Sequence, residues 1–475
     1  MKKFYITTTA PYINADPHIG FALEIIQADV LARYHRLLGE EVAFGFGTDE
    51  HGVKIYNKAL EQKKDPKKYC DEFAQKFDDL KKALNLSYTH FIRTTDEKHQ
   101  KAAQEFWNLC FKNGDIYKKK YQIKYCIGCE LEKTDSELIS NKCPLHPNLE
   151  IENYDEENYF FKFSKYQQKL LEFYENNPQF VLPKNKFEEI KNFIKGGLQD
   201  FSISRLKTKM PWGVDVPNDS EHVMYVWFDA LVFYISNIGW PNDKKEFEKW
   251  WPVIQVAGKD NLRQQSAIWQ AMLMSANLPN SKQIIIHGFI TSNGQKMSKS
   301  LGNVINPYDL VNKYGTDAVR YYLLREIPAT DDGDYSASRM EEIYNADLAN
   351  ELGNLISRLT TLAEKDNLII NQETKYNYSL VLSEVEGFQF NIILEQIWTD
   401  IKKLNKQVDD FAPWHKTVEE RKEFLQKTIQ EINIIGQKLL PFLPETAEKI
   451  IQATTGKICK ITPLFPRLTI RQLAH

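Results

Sequence analysis

The segment from Phe4 to Gly20, with the sequence FYITTTAPYINADPHIG, decides the fold of this 475-residue chain. Its first six residues are apolar or threonine and predict a buried strand. Asp16 and Pro17 predict the N-cap and the first residue of a helix. One face of that helix is apolar at the spacing that burial requires, through Ile19, Leu23, Ile26, Val30 and Tyr34. The segment therefore predicts an α/β fold with a parallel sheet.

The N-terminus of this helix is a candidate anion site. Unpaired backbone N–H groups and the helix dipole attract an anion there, and His18 in the first turn adds a donor. Taken alone, a capping histidine beside a loop is the simpler interpretation. A phosphate-binding role for His18 therefore depends on a second element elsewhere in the chain.

That second element is Lys296-Met297-Ser298-Lys299-Ser300, which follows the apolar strand Ile284 to His287 and the turn Asn293-Gly294. Two ammonium groups three positions apart, among small hydroxyl residues, suit the phosphates of a bound nucleotide. A solvated surface cluster is the alternative. The presence of both elements in one chain favours nucleotide binding.

Together the two segments resemble the paired signatures of the class I aminoacyl-tRNA synthetases. In that family a His-Ile-Gly motif follows the first strand of a Rossmann-like nucleotide-binding fold, and Lys-Met-Ser-Lys-Ser comes late in it. The resemblance implies that an amino-acid carboxylate attacks ATP, giving an aminoacyl-adenylate and pyrophosphate, before acyl transfer to tRNA. It implies catalytic roles for His18, Lys296 and Lys299, and Mg²⁺ with ATP. It assigns ATP binding to Gly20, Phe21, Gly258, Asp260, Lys296, Ser298 and Lys299.

Phe21 departs from the family pattern, which usually has a second histidine at this position. Residues 18 and 21 share a helix face, so we expect the ring of Phe21 to face the same nucleotide. A phenyl ring can pack there but cannot donate to a phosphate. We therefore expect His18, Lys296 and Lys299 to carry the charge stabilisation with less help than usual.

Further segments resemble the methionyl members of this family over essentially the whole chain. They are the turn Ala10-Pro11-Tyr12, the segment Gly47 to Gly52, the segment Val226 to Tyr234, and Gly258-Lys259-Asp260. The resemblance implies methionine as the substrate, with Asp49 holding its ammonium group. It assigns the rest of the methionine pocket to Ala10, Tyr12, Trp227, Ala230, Leu231, Tyr234 and Gln265. Aromatic rings suit the polarizable sulfur of such a ligand.

A second departure lies near the expected methionine tail. The family usually has an isoleucine after Gly-Lys-Asp and a histidine four residues beyond it, where this chain has Asn261 and Gln265. Both substitutions are polar and affect the fine shape of the pocket. A class I synthetase for another amino acid is the first alternative, and a non-catalytic tRNA-binding relative is the second. Charged and polar residues at His18, Asp49 and Asp260 favour the enzyme.

Four ligand-type residues form a separate cluster, Cys126-x-x-Cys129 and, after thirteen intervening residues, Cys143-x-x-His146. Three thiolates and one imidazole fill a tetrahedral zinc shell and leave no position open for water. The pattern predicts one structural zinc ion. A catalytic zinc ion and disulfide bonds are the alternatives, but six cysteines in 475 residues without a signal peptide are typical of a cytoplasmic protein.

Composition permits a large protein of about three domains, with 42% hydrophobic residues, 26% charged residues and a net charge of −3. A nearly neutral chain must bind tRNA through local patches, because its overall field is weak. The implied partners are ATP, methionine and methionine tRNA, including the initiator. We expect no membrane span, no transit peptide, a cytoplasmic location and a monomer.

The positions of the motifs divide the chain into five parts. The first half of the catalytic fold, 1–112, is followed by a connective insertion with the zinc knuckle, 113–221. The second half of the catalytic fold, 222–290, leads into the lysine loop and a connector, 291–340. A C-terminal helical bundle, 341–475, is expected to bind the anticodon.

Three residues of that bundle are candidates for anticodon recognition. Asn354 and Arg358 are four residues apart and share a helix face, and Trp414 follows the end of a later helix. Splayed bases are commonly read by polar edges and aromatic stacking, and the methionyl family uses residues at these positions. For Trp414 the alternative is a place in the core.

Overall fold

The computed structural model describes residues 2–129, 131–133, 137–298, 301–371 and 374–468. Strands and helices alternate in its first part. Their bounds are β1 (Lys3–Thr7), α1 (Ile19–Leu37), β2 (Glu41–Thr48), α2 (Val53–Glu61), α3 (Pro66–Asp78), α4 (Leu80–Ala83), β3 (His90–Arg93) and α5 (Glu97–Lys112).

The next part is richer in strands. It comprises β4 (Ile116–Cys126), β5 (Leu131–Glu132), β6 (Glu152–Phe161), α6 (Gln167–Asn176), β7 (Val181–Leu182), α7 (Lys184–Lys195), β8 (Phe201–Ser202), β9 (Ser204–Leu206) and β10 (His222–Met224). Alternation then resumes with α8 (Val226–Ala230), α9 (Phe233–Ser236), α10 (Lys244–Trp250), β11 (Ile254–Gly258), α11 (Trp269–Ser275) and β12 (Gln283–His287).

A small mixed region leads to the C-terminal helices. It contains β13 (Ile290–Ser292), β14 (Gln295–Lys296), α12 (Pro307–Tyr314), α13 (Thr316–Arg325) and β15 (Gly333–Tyr335). The helical part consists of α14 (Ala337–Ile343), a wide helical segment (Tyr344–Gly353), α15 (Asn354–Lys365), β16 (Ile369–Ile370), α16 (Leu382–Glu386), α17 (Phe390–Phe411), α18 (Val418–Leu439), α19 (Pro444–Ala453) and β17 (Gly456–Lys457).

The central sheet has six strands in the order β3-β2-β1-β11-β12-β7, and all of its pairs are parallel. The chain winds outward from β1 in both directions, so the switch point lies between β1 and β11. Ligands of open parallel sheets bind at such a point, outside the carboxyl ends of the strands. The predicted α/β fold with a parallel sheet is confirmed, and so is the helical C-terminal region.

The segment predicted as one insertion is two structures. Strands β5, β4, β6 and β8 form an antiparallel sheet apart from the central one. Strand β7, by contrast, pairs with β12 at the edge of the parallel sheet, with Val181 opposite Ile284. Helices α6 and α7 pack against the same core as Ile284 and Ile286. Residues 163–195 therefore pack with the parallel sheet, although the sequence boundaries place them in the insertion.

Helix α1 begins two residues later than the sequence predicts. His18 is its N-cap, with an extended backbone at φ −126° and ψ 165°. The predicted N-cap, Asp16, is exposed and pairs instead with Lys76 at 2.6 Å. The predicted start at Asp16 is wrong because the ring of His18, rather than a carboxylate, satisfies the free N–H groups.

A buried ion pair joins α1 to the second half of the chain. Arg320 on α13 and Asp29 on α1 are both fully buried, with Nη2 and Oδ2 2.9 Å apart. The same guanidinium donates to the carbonyl oxygens of Leu84, Pro441 and Phe442. One side chain thus ties α1 to the loop before β3 and to the C-terminal helices.

None of the helices in the described part of the chain is long and apolar enough to cross a membrane.

Candidate active site

Four residues gather at the carboxyl ends of four neighbouring strands, and three of them, Tyr12, Asp49 and Asp260, were singled out in the sequence. Segments carrying Tyr12, Asp49, Asp260 and His287 follow or end β1, β2, β11 and β12 respectively. These strands flank the switch point of the sheet. Parallel strands thus bring to one crevice residues that are up to 275 positions apart in the chain.

His18 stands at the N-terminus of α1 with one ring nitrogen already engaged. Its Nδ1 accepts hydrogen bonds from the backbone N–H groups of Gly20 at 3.1 Å and Phe21 at 3.4 Å. Part of the ring faces solvent, but the protein packed around it lowers the pKa of His18. The neutral ring therefore carries its proton on Nε2, which remains available as a donor.

A backbone hydrogen bond joins the start of α1 to the stretch just after the lysine loop. The N–H of Ile19 donates to the carbonyl oxygen of Ile305 at 2.9 Å, just after the lysine loop. Within that loop the N–H of Ser298 donates to Asn303 Oδ1 at 2.9 Å, and Asn303 donates back to the Lys296 carbonyl at 3.2 Å. The lysine loop is therefore anchored beside the N-terminus of α1.

Strands β13 and β14 form the hairpin that carries the exposed Lys296. Its turn is Asn293-Gly294, and both residues have positive φ, as a tight two-residue hairpin requires. Asp334 fixes the hairpin by accepting from Thr291 Oγ1 at 2.6 Å and from the Gly294 N–H at 2.8 Å. Lys299 and Ser300 lie outside the described residues.

Gly258 ends β11 at a crowded point of the crevice. A Cβ atom there would lie 2.7 Å from Asp260 Oδ1 and 3.6 Å from His287 Nε2. Glycine thus keeps open the space that Asp260 and His287 share. Asp260 is exposed on the helical turn after β11, and its Oδ1 accepts from Asn261 Nδ2 at 3.2 Å.

A buried carboxylate–histidine pair lies against this space. His287 Nδ1 is 2.7 Å from the Gly288 carbonyl oxygen, and Nε2 is 2.9 Å from Glu24 Oε2. Glu24 also accepts from the N–H and the hydroxyl of Thr9. Burial lowers the pKa of His287, but the bond to Glu24 and its charge, the Gly288 carbonyl and the charge of Asp260 together raise the pKa above its usual value. Both ring nitrogens face acceptors, which favours the protonated ring.

The expected position of Phe21 beside a nucleotide is corrected by the structure. Its ring is 7% exposed and packs in the core against Phe46 at 5.5 Å and Phe77 at 5.6 Å between ring centroids. A cluster of rings from β2 and α3 draws the side chain inward. At the N-terminus of α1, Phe21 contributes its backbone N–H, which donates to His18 Nδ1.

The methionine-side residues surround the neighbouring part of the crevice. Tyr12 and the buried Asp49 form a parallel bridge, in which the Asp49 N–H donates to the Pro11 carbonyl at 3.0 Å. Ala10 and Tyr12 are half-buried, as is Trp227 at the start of α8. Ala230 at the end of α8, Leu231 just after it and Tyr234 on α9 are buried.

Gln265 lies on a wide helical turn, Gln264 to Ile268, and is 2% exposed. Its Oε1 accepts from Gln255 Nε2 at 2.8 Å. Both amides hydrogen-bond the phenol of Tyr234, whose pKa is raised by burial. Gln265, which stands where the family usually has a histidine, thus belongs to a hydrogen-bonded group with Gln255 and the Tyr234 hydroxyl.

The predicted metal ligands converge at one point. Sγ of Cys126, Cys129 and Cys143 and Nδ1 of His146 all lie within 4.8 Å of one another. The Sγ atoms of Cys129 and Cys143 lie 3.4 Å apart. His146 Nδ1 lies 3.2 Å from Cys129 Sγ, 3.8 Å from Cys126 Sγ and 3.9 Å from Cys143 Sγ. A Cβ at Gly128 would lie 2.3 Å from the His146 ring, so glycine makes the approach possible. The cluster can hold a metal ion.

The three candidates in the C-terminal part share one exposed surface. The guanidinium of Arg358 lies 5.2 Å from the centroid of the Trp414 ring and bonds Asp409 at 2.8 Å. Trp414 is 47% exposed, so its ring is outside the core. Asn354 is exposed one turn before Arg358 on α15.

Sequence reasoning missed two groups of buried polar residues at the crevice. One is the Glu24–His287 pair. The other is Asp229 on α8, which contacts His51 and His99. The sequence signals were weak, because a lone acidic residue in an apolar run gives no indication of its partners.

One family profile and two relatives match this chain over most of its length. The profile described as "tRNA synthetases class I (M)" matches residues 4–360. A methionine–tRNA ligase from Thermotoga maritima is 41% identical over 473 residues, covering 95% of this chain and 75% of that protein. A methionine–tRNA ligase from Nostoc sp. is 40% identical over 476 residues, covering 95% and 89%.

Two solved structures have the same fold. Methionyl-tRNA synthetase of Mycobacterium tuberculosis in complex with methionyl-adenylate matches with a TM-score of 0.91 and 34% identity, covering 98% of this chain and 100% of that one. The apo form of the same protein matches with a TM-score of 0.83 and 31% identity, covering 99% of each chain.

Replacing Gly128 by alanine should reduce metal binding, because the added methyl group would collide with the His146 ring. The measurement is the metal content of the purified protein by mass spectrometry, with affinity from chelator competition. Gly196→Ala is the matched control, since Gly196 has φ −66° and its Cβ would meet nothing closer than 3.3 Å. Full metal content and unchanged affinity in Gly128→Ala would contradict the assigned cluster.

Proposed function

The chain belongs to the methionine–tRNA ligases of the class I tRNA synthetase family, and we propose that it activates methionine with ATP and transfers the methionyl group to tRNA. The observation that carries the proposal is the link between the two signature segments. The stretch that follows the lysine loop reaches the helix end that carries His18, through the Ile19–Ile305 hydrogen bond.

The first step needs orientation and fixed positive charge rather than a covalent nucleophile. The methionine carboxylate attacks the α-phosphate of ATP, and pyrophosphate leaves. His18 Nε2–H donates to the phosphate, while the Lys296 ammonium and, on the family pattern, Lys299 offset the charge that develops. A preorganised donor of this kind contributes roughly 10²- to 10³-fold in rate. Mg²⁺ enters with ATP and is part of that substrate.

The remaining ATP contacts fall along the crevice. Asp260 binds the ribose hydroxyls, and Gly258 leaves room for the nucleotide to approach the sheet. Gly20 leaves room for the His18 ring, since a Cβ atom there would lie 3.0 Å from it. The Ser298 hydroxyl contributes at the phosphate end. Phe21 holds α1 in the core and has no direct contact with ATP.

Methionine lies between the Asp49 loop and helices α8 and α9. The carboxylate of Asp49 binds the ammonium group, and the aromatic rings of Tyr12 and Trp227 pack against the thioether chain. Ala10, Ala230 and Leu231 complete the apolar wall. The Tyr234 hydroxyl, held by Gln265 and Gln255, is the polar group that meets the sulfur.

The cysteine–histidine cluster holds a structural zinc ion. With zinc–sulfur bonds of about 2.3 Å, tetrahedral ligand atoms lie about 3.5–3.8 Å apart, close to the separations at this site. Bound zinc would cross-link the knuckle. Lys54 Nζ on α2 donates to the Gly128 carbonyl at 2.7 Å and ties the knuckle to the catalytic fold.

Recognition of methionine tRNA, including the initiator, is assigned to Asn354, Arg358 and Trp414. Amide and guanidinium groups contact base edges, and the exposed indole stacks on a splayed anticodon base. We also propose that the protein acts in the cytoplasm as a monomer, which sedimentation of the purified chain would test.

The test of the proposed activity is ATP–pyrophosphate exchange with each of the twenty amino acids. Methionine should give exchange well above the others, because the pocket combines a carboxylate for the ammonium group with aromatic walls and a hydroxyl for the sulfur. Norleucine, which lacks the sulfur, should be a weaker substrate. Exchange driven by another amino acid, or by none, would refute the assignment.

Two substitutions separate the two roles of His18. His18→Asn keeps a good N-cap but removes the Nε2 donor, so the fold should persist while exchange falls roughly 10²- to 10³-fold. His18→Ala should lose the donor and also about 1 kcal/mol of stability. Exchange rates and thermal unfolding measure the two effects. Normal exchange in His18→Asn would exclude a contact between His18 and the phosphate.

Trp414→Ala should reduce tRNA charging far more than exchange, because the indole is remote from the ATP crevice and half its surface is open. Stacking of a base on an aromatic ring of this kind contributes about 1–3 kcal/mol to the free energy of binding. Phe111→Ala is the control, since Phe111 is 54% exposed on a different part of the molecule. Equal loss of charging and exchange in Trp414→Ala would indicate a packing role instead.

A further inference from the structure

Asp229 is a fully buried charged residue that the activation chemistry above does not use. Its Oδ2 lies 2.5 Å from His51 Nδ1, and its Oδ1 lies 2.8 Å from His99 Nε2. Both histidines are buried, at 3% and 0% exposure. His99 Nδ1 also contacts Ser236 Oγ on α9 at 2.9 Å.

The carboxylate is ionised in this position. Burial alone would raise the pKa of Asp229, but the contacts with His51 and His99 lower it to about 2. Each carboxylate oxygen therefore accepts an N–H from one ring. A side-chain amide in the same place could accept from only one of the two histidines.

The three residues come from different elements that border the methionine site. His51 lies two residues after Asp49, in the loop that follows β2. Asp229 lies on α8 between Trp227 and Ala230. His99 lies on α5, behind both. The Asp229 carboxylate thus connects the expected ammonium-binding loop with the expected thioether wall.

The neighbouring residue of the same loop is anchored on another element. Glu50 is fully buried and accepts from Arg93 Nε at 2.6 Å and Nη2 at 2.8 Å, at the end of β3. Thr48 and Thr95 hydroxyls donate to it as well. Consecutive side chains thus hold the loop on two elements, Glu50 to β3 and His51 to α8.

We propose that Asp229 is a positioning residue for methionine, which sets the separation of Asp49 from Trp227 and Ala230 through its bonds to His51 and His99. This inference rests on the proposed function, because it assigns a role within the methionine site. It acts on the position of the ammonium-binding carboxylate, and ATP binds in a neighbouring part of the crevice.

The primary test is Asp229→Asn in ATP–pyrophosphate exchange. The substitution preserves size but removes one of the two accepting oxygens. The KM for methionine should rise roughly 10- to 100-fold, as misplacement of a binding group by about 1 Å does. The KM for ATP should stay within about twofold of the wild-type value, since the residues assigned to ATP are unchanged.

A second readout distinguishes positioning from general loosening of the fold. The competitive inhibitor 4-(methylsulfanyl)butanoate has the thioether and carboxylate of methionine but no ammonium group. If Asp229 acts through Asp49, Asp229→Asn should weaken methionine binding while the inhibition constant of the analogue stays nearly constant. The preference for methionine over the analogue should therefore shrink.

The histidine partners provide variants that do not alter Asp229. His51→Leu removes the N–H donor and should reproduce the methionine defect of Asp229→Asn. His51→Asn restores a donor near the position of Nδ1 and should recover most of the loss. If Asp229→Asn does not fold, these two variants carry the test by the same kinetic measurements.

The outcomes separate this inference from the proposed function. A wild-type chain without methionine-dependent exchange would overturn the proposed function, and this inference with it. Exchange by the wild type with an unchanged methionine KM in Asp229→Asn would overturn this inference alone. An equal rise of the methionine KM and of the analogue's inhibition constant would also overturn it.

Discussion

The buried contact of Arg320 with Asp29 is the constraint on which the arrangement of the molecule depends. Its guanidinium makes one ion pair and donates to three backbone carbonyl groups from two other parts of the chain. A buried pair of this kind adds little net stability, but loss of one partner costs about 3–5 kcal/mol. The contact therefore selects one placement of α1 between the parallel sheet and the C-terminal helices.

Helix α1 links that placement to the chemistry. Its N-terminal end presents His18 and bonds Ile305, just after the lysine loop, through Ile19. Further along the helix, Glu24 holds His287 at the end of β12. The same helix thus positions His18, the stretch after the lysine loop, and His287 beside the proposed nucleotide site. On the methionine side, Glu50 and Asp229 hold the Asp49 loop in a comparable way. Under the proposed function, the groups that bind the substrates are positioned by buried charges that do not themselves react.

Much of this architecture could be predicted from local sequence. The segment Phe4 to Gly20 gave β1 and α1, and the cysteine spacing predicted a cluster whose sulfurs do meet. The start of α1 was misplaced because the ring of His18, rather than the Asp16 carboxylate, caps the helix. Phe21 was misplaced because its aromatic partners lie on β2 and α3. Strand β7 was missed because it has only two residues and so no periodicity to detect. The contacts of Asp229 were missed because His51 and His99 lie 178 and 130 residues away in the sequence.

The most direct measurement of the central claim is a crystal structure of this protein with a stable methionyl-adenylate analogue. The account predicts that the phosphate or its substitute lies within hydrogen-bond distance of His18 Nε2, with the ribose at Asp260. It predicts the ammonium group at Asp49 and the sulfur beside the Tyr234 hydroxyl. An analogue bound away from the N-terminus of α1, or with its ammonium group remote from Asp49, would contradict the account.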